Sequence, residues 1–138
     1  MSNIYNLFKF LEKKRGTETP LQVKLLYAPN ELTDEELNVE GHLDLALTKI
    51  TSLPNNLQVR GDLDLSYTSI TSLPDNLQVG GNLVLNYSKI SSIPNNLKVE
   101  RSLFLDNTPL AKKYDKGKII KMILNKGGYF KGNLYGVD

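Results

Sequence analysis

The chain of 138 residues contains no cysteine, a single histidine and two methionines. Without cysteine, disulfide and thiol chemistry are excluded, and nothing in the chain calls for an oxidising compartment. No apolar run is long enough to span a membrane. The start, MSNIYNLFKFLEKKRG, lacks an uninterrupted apolar core and carries its charge after its apolar residues, unlike a secretory signal. The expected location is therefore cytoplasmic. Charge of one sign is also scarce overall, with 17 basic against 15 acidic residues and a net of +2.

What the chain does have is repetition. Residues 39–58 read VEGHLDLALTKITSLPNNLQ, 59–78 read VRGDLDLSYTSITSLPDNLQ, 79–98 read VGGNLVLNYSKISSIPNNLK, and 99–110 begin a fourth copy, VERSLFLDNTPL. A fixed period of 20 residues without insertion is the mark of a solenoid, whose units bury their apolar faces only against one another. Leu43 and Leu45 flank Asp44 in the alternation of a half-buried strand. Successive strands are expected to stack in parallel, putting Leu43, Leu63, Leu83 and Leu103 in one column and Leu45, Leu65, Leu85 and Leu105 in the next, about 4.8 Å apart per rung.

The return stretches hold Pro54, Pro74 and Pro94, each followed by Asn or Asp pairs that form turns through their own side chains. They read as turns or as a second narrow sheet. Gly41, Gly61 and Gly81 mark either a positive φ or a crowded corner, and Arg101 breaks their column. Thr48, Thr68, Ser88 and Thr108 form a hydroxyl column that can satisfy backbone groups at the strand exit, a structural duty.

The segment Leu63-Asp-Leu65-Ser-Tyr-Thr68-Ser-Ile70-Thr-Ser-Leu73-Pro74 resembles the leucine-rich repeat, with Thr in place of the usual Asn. The V-x-G-x-L-x-L corner and the ending Asn107-Thr-Pro-Leu110-Ala-Lys-Lys-Tyr114 are similar to short leucine-rich-repeat proteins of tailed bacteriophage and bacterial genomes. The resemblance implies an α/β solenoid, a right-handed coil with a parallel sheet and helical caps at both ends. It also implies a non-enzymatic protein-binding role in host takeover or in neutralising a bacterial defence system, in the host cytoplasm if the chain is phage-encoded.

Three segments follow. Residues 1–38 form an N-terminal cap, with Ile4, Leu7, Phe8 and Leu11 on one helical face. A degenerate rung then sets Val23, Leu25 and Tyr27 in register with Leu43, Leu45 and Leu47, and Thr33 to Glu36 form a capping box. Residues 39–110 are the repeats. Residues 111–138 form a basic helical cap capped at Asp115, its apolar face Ile119, Ile120, Ile123 and Leu124, and its stop Gly127. The aromatic tail that follows is expected to pack, as a short strand beneath that helix.

The outward strand positions are the candidate partner-binding face: His42, Asp62 and Asn82, then Asp44, Asp64, Val84 and Phe104, then Asn86 and Asp106. The face grades from acidic to apolar. Phe104 suits either an interface anchor or a site covered by the C-terminal segment. The carboxylates suit an acidic docking patch better than a metal, since few ligands converge, and no metal or other cofactor is expected. His42, Asp62 and a nearby serine make no hydrolase, because no oxyanion hole or substrate pocket accompanies them. Tyr67 and Tyr87 share a column and read as rim packing or as a platform for a partner. Lys112, Lys113, Lys118 and Lys121 lie in a basic stretch that is either a solvated face or a contact for nucleic acid or an acidic protein. A bacterial protein is the expected partner, nucleic acid the alternative, a membrane neither. Oligomeric state is not fixed by the sequence.

Overall fold

A computed structural model describes residues 21–138, and the expected helix over residues 3–14 lies outside the described residues. The described chain is a β-solenoid. Its first sheet takes strands β1 (Asn38–Val39), β3 (Gln58–Val59), β5 (Gln78–Val79), β7 (Lys98–Val99) and β9 (Tyr129–Phe130) in that order. Its second takes β2 (Leu43–Asp44), β4 (Leu63–Asp64), β6 (Leu83–Val84), β8 (Leu103–Phe104) and β10 (Leu134–Tyr135). All neighbours are parallel, and Leu43 pairs with Leu63, Leu63 with Leu83, and Leu83 with Leu103. The 20-residue period is thus the circumference of one rung.

The second narrow sheet does not lie on the proline-bearing return. It forms at the residues just before the glycine corner, where Gln58, Gln78 and Lys98 point outward and Val59, Val79 and Val99 inward. Hydrogen bonding runs beyond the short strands: Leu43 N donates to Asp62 O at 2.8 Å, Leu45 N to Asp64 O at 2.9 Å and Leu47 N to Ser66 O at 3.0 Å. Between the sheets sit the aliphatic columns of Leu43, Leu45, Ile50, Leu53 and Leu57 and their successors, all buried. Burying each such side chain is worth about 2 kcal/mol, and a parallel stack is what lets all of them do so at once.

The hydroxyl column takes up backbone groups at the strand exit. Thr48, Thr68 and Thr108 donate to the carbonyls of Leu45, Leu65 and Leu105 at 2.7, 2.7 and 2.9 Å. Opposite, Asn56, Asn76 and Asn96 turn the return stretch with φ of 68°, 65° and 55°, a left-handed conformation asparagine tolerates.

Two expectations fail at the ends. Residues 21–27 are not a strand-bearing rung but helix α1 (Leu21–Tyr27), of which Leu25 is buried in the core. The spacing of Leu21 from Leu25 serves a helix as well as Val23, Leu25 and Tyr27 serve a strand, and among the described residues the paired ladder begins at β1. The capping box does form, with Glu36 N donating to Thr33 Oγ1 at 3.1 Å and Thr33 N to Glu36 Oε1 at 3.3 Å, and the register is recovered by Asn38 opposite Gln58.

At the other end, α2 (Pro109–Lys113) and α3 (Lys116–Asn125) do not close the stack. They replace the return stretch of the fourth rung, and β9 and β10 follow them as a further rung. Lys98 therefore pairs with Tyr129 and Leu103 with Leu134. The tail thus extends both sheets. Asp115 caps α3 by accepting from Lys118 N at 2.8 Å. Ile119 and Ile123 are buried, whereas Leu124 is 58% exposed and does not belong to the packed face.

Candidate functional site

Every outward position named from the sequence lies in a column along the solenoid axis, but the columns have different duties. The first, although outward-facing, also ties the rungs together. Asp62 N donates to His42 Nδ1 at 2.8 Å, Asn82 N to Asp62 Oδ1 at 2.6 Å, Ser102 N to Asn82 Oδ1 at 2.9 Å, and Asn133 N to Ser102 Oγ at 3.0 Å. The four residues share one property, a side-chain acceptor that reaches the backbone of the next rung. The glycine corner is the same device seen from the other side. A Cβ on Gly61 would come within 2.5 Å of His42 Nδ1, and one on Gly81 would meet Asp62 Oδ1. Gly41, Gly61 and Gly81 are thus not positive-φ positions, and at Gly61 and Gly81 crowding is the reason for glycine.

The second column runs Asp44, Asp64, Val84, Phe104 and Tyr135 up the outer face of the second sheet. Asp44 and Asp64 each give Oδ1 to a local turn, from Ala46 N and Ser66 N, both at 3.0 Å, and Ser66 Oγ adds a bond to Asp64 at 2.7 Å. The upper half is apolar. Phe104 stacks on Tyr135 with ring centroids 4.7 Å apart and planes inclined by 21°, so the C-terminal segment covers one side of Phe104 and supplies a new exposed ring, Tyr135, in its place. Val84 and Phe104 remain half-buried.

Asn86 and Asp106 flank this stripe, and Asn86 Oδ1 accepts from Asp106 N at 2.8 Å. Sequence reasoning missed that Tyr135 joins the face, because its partner Phe104 is one long rung away and no repeat announces it.

Lys112, Lys113, Lys118 and Lys121 are all exposed on α2 and α3, and none forms an ion pair with a described residue. Lys131 differs: it pairs with Glu100 at 2.6 Å, and Tyr129 donates its hydroxyl to the same carboxylate. The Lys131 ammonium, then the Tyr129 hydroxyl, hold the Glu100 carboxyl below the usual carboxylate range, and in return Glu100 raises Lys131 and Tyr129.

A shallow groove of about 270 Å³ lies elsewhere, over the first sheet between Arg60, Gln78, Lys98 and Glu100. A second hollow of about 230 Å³ follows the glycine corner beside His42 and Arg101. Both are open and lined mostly by polar and charged residues, unlike the enclosed apolar pockets that hold small ligands. No described helix is long and apolar enough to cross a membrane. No protein-family model matches the chain, and neither a curated protein nor a solved structure matches it; what is established is its architecture, a β-solenoid with a 20-residue rung.

Proposed function

We propose that the chain is a non-enzymatic protein-binding module that engages its partner through the outer face of the second sheet. The observation that carries this is the unbroken column Asp44, Asp64, Val84, Phe104, Tyr135: its outer side chains do not fill the core, and its upper half sets apolar and aromatic area in solvent. Contiguous apolar and aromatic area left outside marks a recognition surface, as a lone apolar side chain does not. His42, Asp62 and Asn82 serve chiefly to hold the rungs together, so the contact residues are Asp44, Asp64, Val84, Asn86, Phe104 and Asp106. The leucine-rich-repeat likeness of Leu63 to Pro74, and the phage-type ending at Tyr114, support a finer assignment: a phage-encoded leucine-rich-repeat protein whose partner is a bacterial host or defence protein.

A second reading, nucleic-acid binding, is supported by Lys112, Lys113, Lys118 and Lys121, exposed on α2 and α3 and without an ion pair among the described residues. The two separate by parallel capture from bacterial lysate with the unchanged protein, a Val84→Asp/Phe104→Asp variant and a Lys118→Glu/Lys121→Glu variant. The face assignment requires that the first variant lose the captured protein and the second keep it. The lysine assignment requires the opposite, together with nucleic-acid affinity that falls steeply with added salt.

A further inference from the structure

Leu47, Tyr67, Tyr87 and Asn107 form one column where the chain leaves the second sheet, and all four have left-handed φ, at 61°, 56°, 59° and 54°. The corner is a four-residue turn: Thr48 N donates to Leu45 O at 3.4 Å and Ser88 N to Leu85 O at 3.0 Å. A turn whose third residue has positive φ favours glycine or asparagine there. Asn107 obeys that rule, as do Asn56, Asn76 and Asn96 at the opposite corner. Leu47, Tyr67 and Tyr87 do not.

Burial does not offset the strain. Leu47 is 78% exposed, Tyr67 55% and Tyr87 48%. The two tyrosine rings stack, 4.7 Å between centroids and 3° between planes, which recovers part of the cost for that pair and none for Leu47. Large side chains held in an unfavourable backbone conformation and left in solvent are poor choices for folding alone. Strain without burial points to a contact made with something else.

Beside this ridge, on the rungs of Leu47 and Tyr67, stand Asp44 and Asp64. Asp44 and Asp64 each commit one oxygen to the turn, and the other oxygen has no partner among the described residues. Aromatic surface next to a half-occupied carboxylate is complementary to a guanidinium, which stacks on a ring and donates to an acid at once. An ammonium gains less from the ring.

We infer that the Leu47, Tyr67 and Tyr87 ridge is the anchor of the binding face and that the partner is a protein presenting arginine to it. This rests on the protein-binding assignment above and names its partner's chemistry. Two substitutions test it, Leu47→Asn and the pair Tyr67→Asn/Tyr87→Asn, each placing the residue the turn favours. Thermal melting reads the folding side, and titration with a short Arg-Gly repeat peptide and its Lys-Gly counterpart, followed by NMR of the tyrosine rings, reads the binding side.

The melting temperature is expected to rise by about 3 °C for Leu47→Asn and to stay within about 3 °C for the pair, where relief of strain and loss of the stack oppose. The arginine peptide should bind the unchanged protein about tenfold more tightly than the lysine peptide, and both variants should lose about that factor.

A fall of more than about 8 °C in Leu47→Asn would make the ridge structural and overturn the inference. So would arginine binding that the variants leave intact. If Val84→Asp/Phe104→Asp loses the lysate partner while the ridge variants keep it, the face assignment stands and the ridge falls. If every variant keeps it, both fall. A molecular mass that rises with concentration, and reverts in Leu47→Asn, would name a second copy of the chain as occupant and remove the arginine assignment.

Discussion

Oδ1 of Asp62 lies 2.6 Å from the backbone nitrogen of Asn82 and accepts its hydrogen, joining residues 20 apart in sequence. His42 Nδ1 accepts in the same way from Asp62 N and Asn82 Oδ1 from Ser102 N, so this outward column also ties rung to rung. Removing the acceptor while keeping the bulk should therefore cost stability. Asp62→Leu is expected to lose about 1 to 2 kcal/mol in urea unfolding, and Asp62→Asn to lose far less, since the amide oxygen keeps the bond as Asn82 does one rung on.

Core and surface aliphatics of the same type should part widely. Leu83 is fully buried between Leu63 and Leu103, and Leu83→Ala is expected to cost about 3 to 4 kcal/mol. Leu124, which lies on α3 with its side chain largely in water, should tolerate alanine to within about 0.5 kcal/mol. Equal losses at the two sites, measured by denaturant unfolding, would place Leu124 in the core after all.

The left-handed return corner makes a different demand. Asn76 has a φ of 65° and accepts from Asn96 Nδ2 at 2.9 Å. Asn76→Ala should cost about 1 to 2 kcal/mol, because alanine keeps the Cβ that crowds a carbonyl in that conformation and loses the polar side chain by which asparagine offsets it. Asn76→Gly should recover most of it. If both variants cost the same, the corner's φ is not what asparagine supplies.

The cluster of Glu100, Tyr129 and Lys131 ties the last strand of the first sheet to the rung before it, and gives that tie a pH window. Glu100 is held below its ordinary range, chiefly by the Lys131 hydrogen bond, so its contribution is present above the ordinary carboxylate range and fades as pH falls through the lowered value. Lys131 is raised, chiefly by Glu100, so its contribution is present below the ordinary lysine range and fades as pH climbs through the raised value. Melting temperature compared between the unchanged protein and Glu100→Gln should differ by a constant amount at neutral pH and converge in acid. A difference that persists into strong acid would contradict the tie.

The core was legible in the sequence because the repeat prints the same aliphatic side chain at the same place in every rung. The acceptor spine was harder to see, since His42, Asp62, Asn82 and Ser102 differ in every respect but the ability to accept a hydrogen bond. Asking what a mixed polar column has in common would have found it. The last rung had no such signal. The step from Ser102 to Asn133 spans 31 residues because two helices fill the return, and a pattern sought at 20 passes over it.

At the other end, alternating apolar residues in Leu21–Tyr27 admitted a strand, but the segment is a helix, and among the described residues no strand pairs with the outer edge of β2. Tyr67 and Tyr87 were visible as a column. Their backbone strain was not, because φ is written in coordinates and not in residue letters.

The stacking of rungs, with its long final step, underlies every statement about faces, and paired cysteines test it against a background free of native thiols. Gln58→Cys with Gln78→Cys and Lys98→Cys with Tyr129→Cys should each close an intramolecular disulfide under mild oxidation, since both pairs are directly opposite in parallel strands. Lys98→Cys with Lys118→Cys, the pair that an unbroken 20-residue period would join, should stay reduced. Rapid closure of that third pair, with the second left open, would contradict the account.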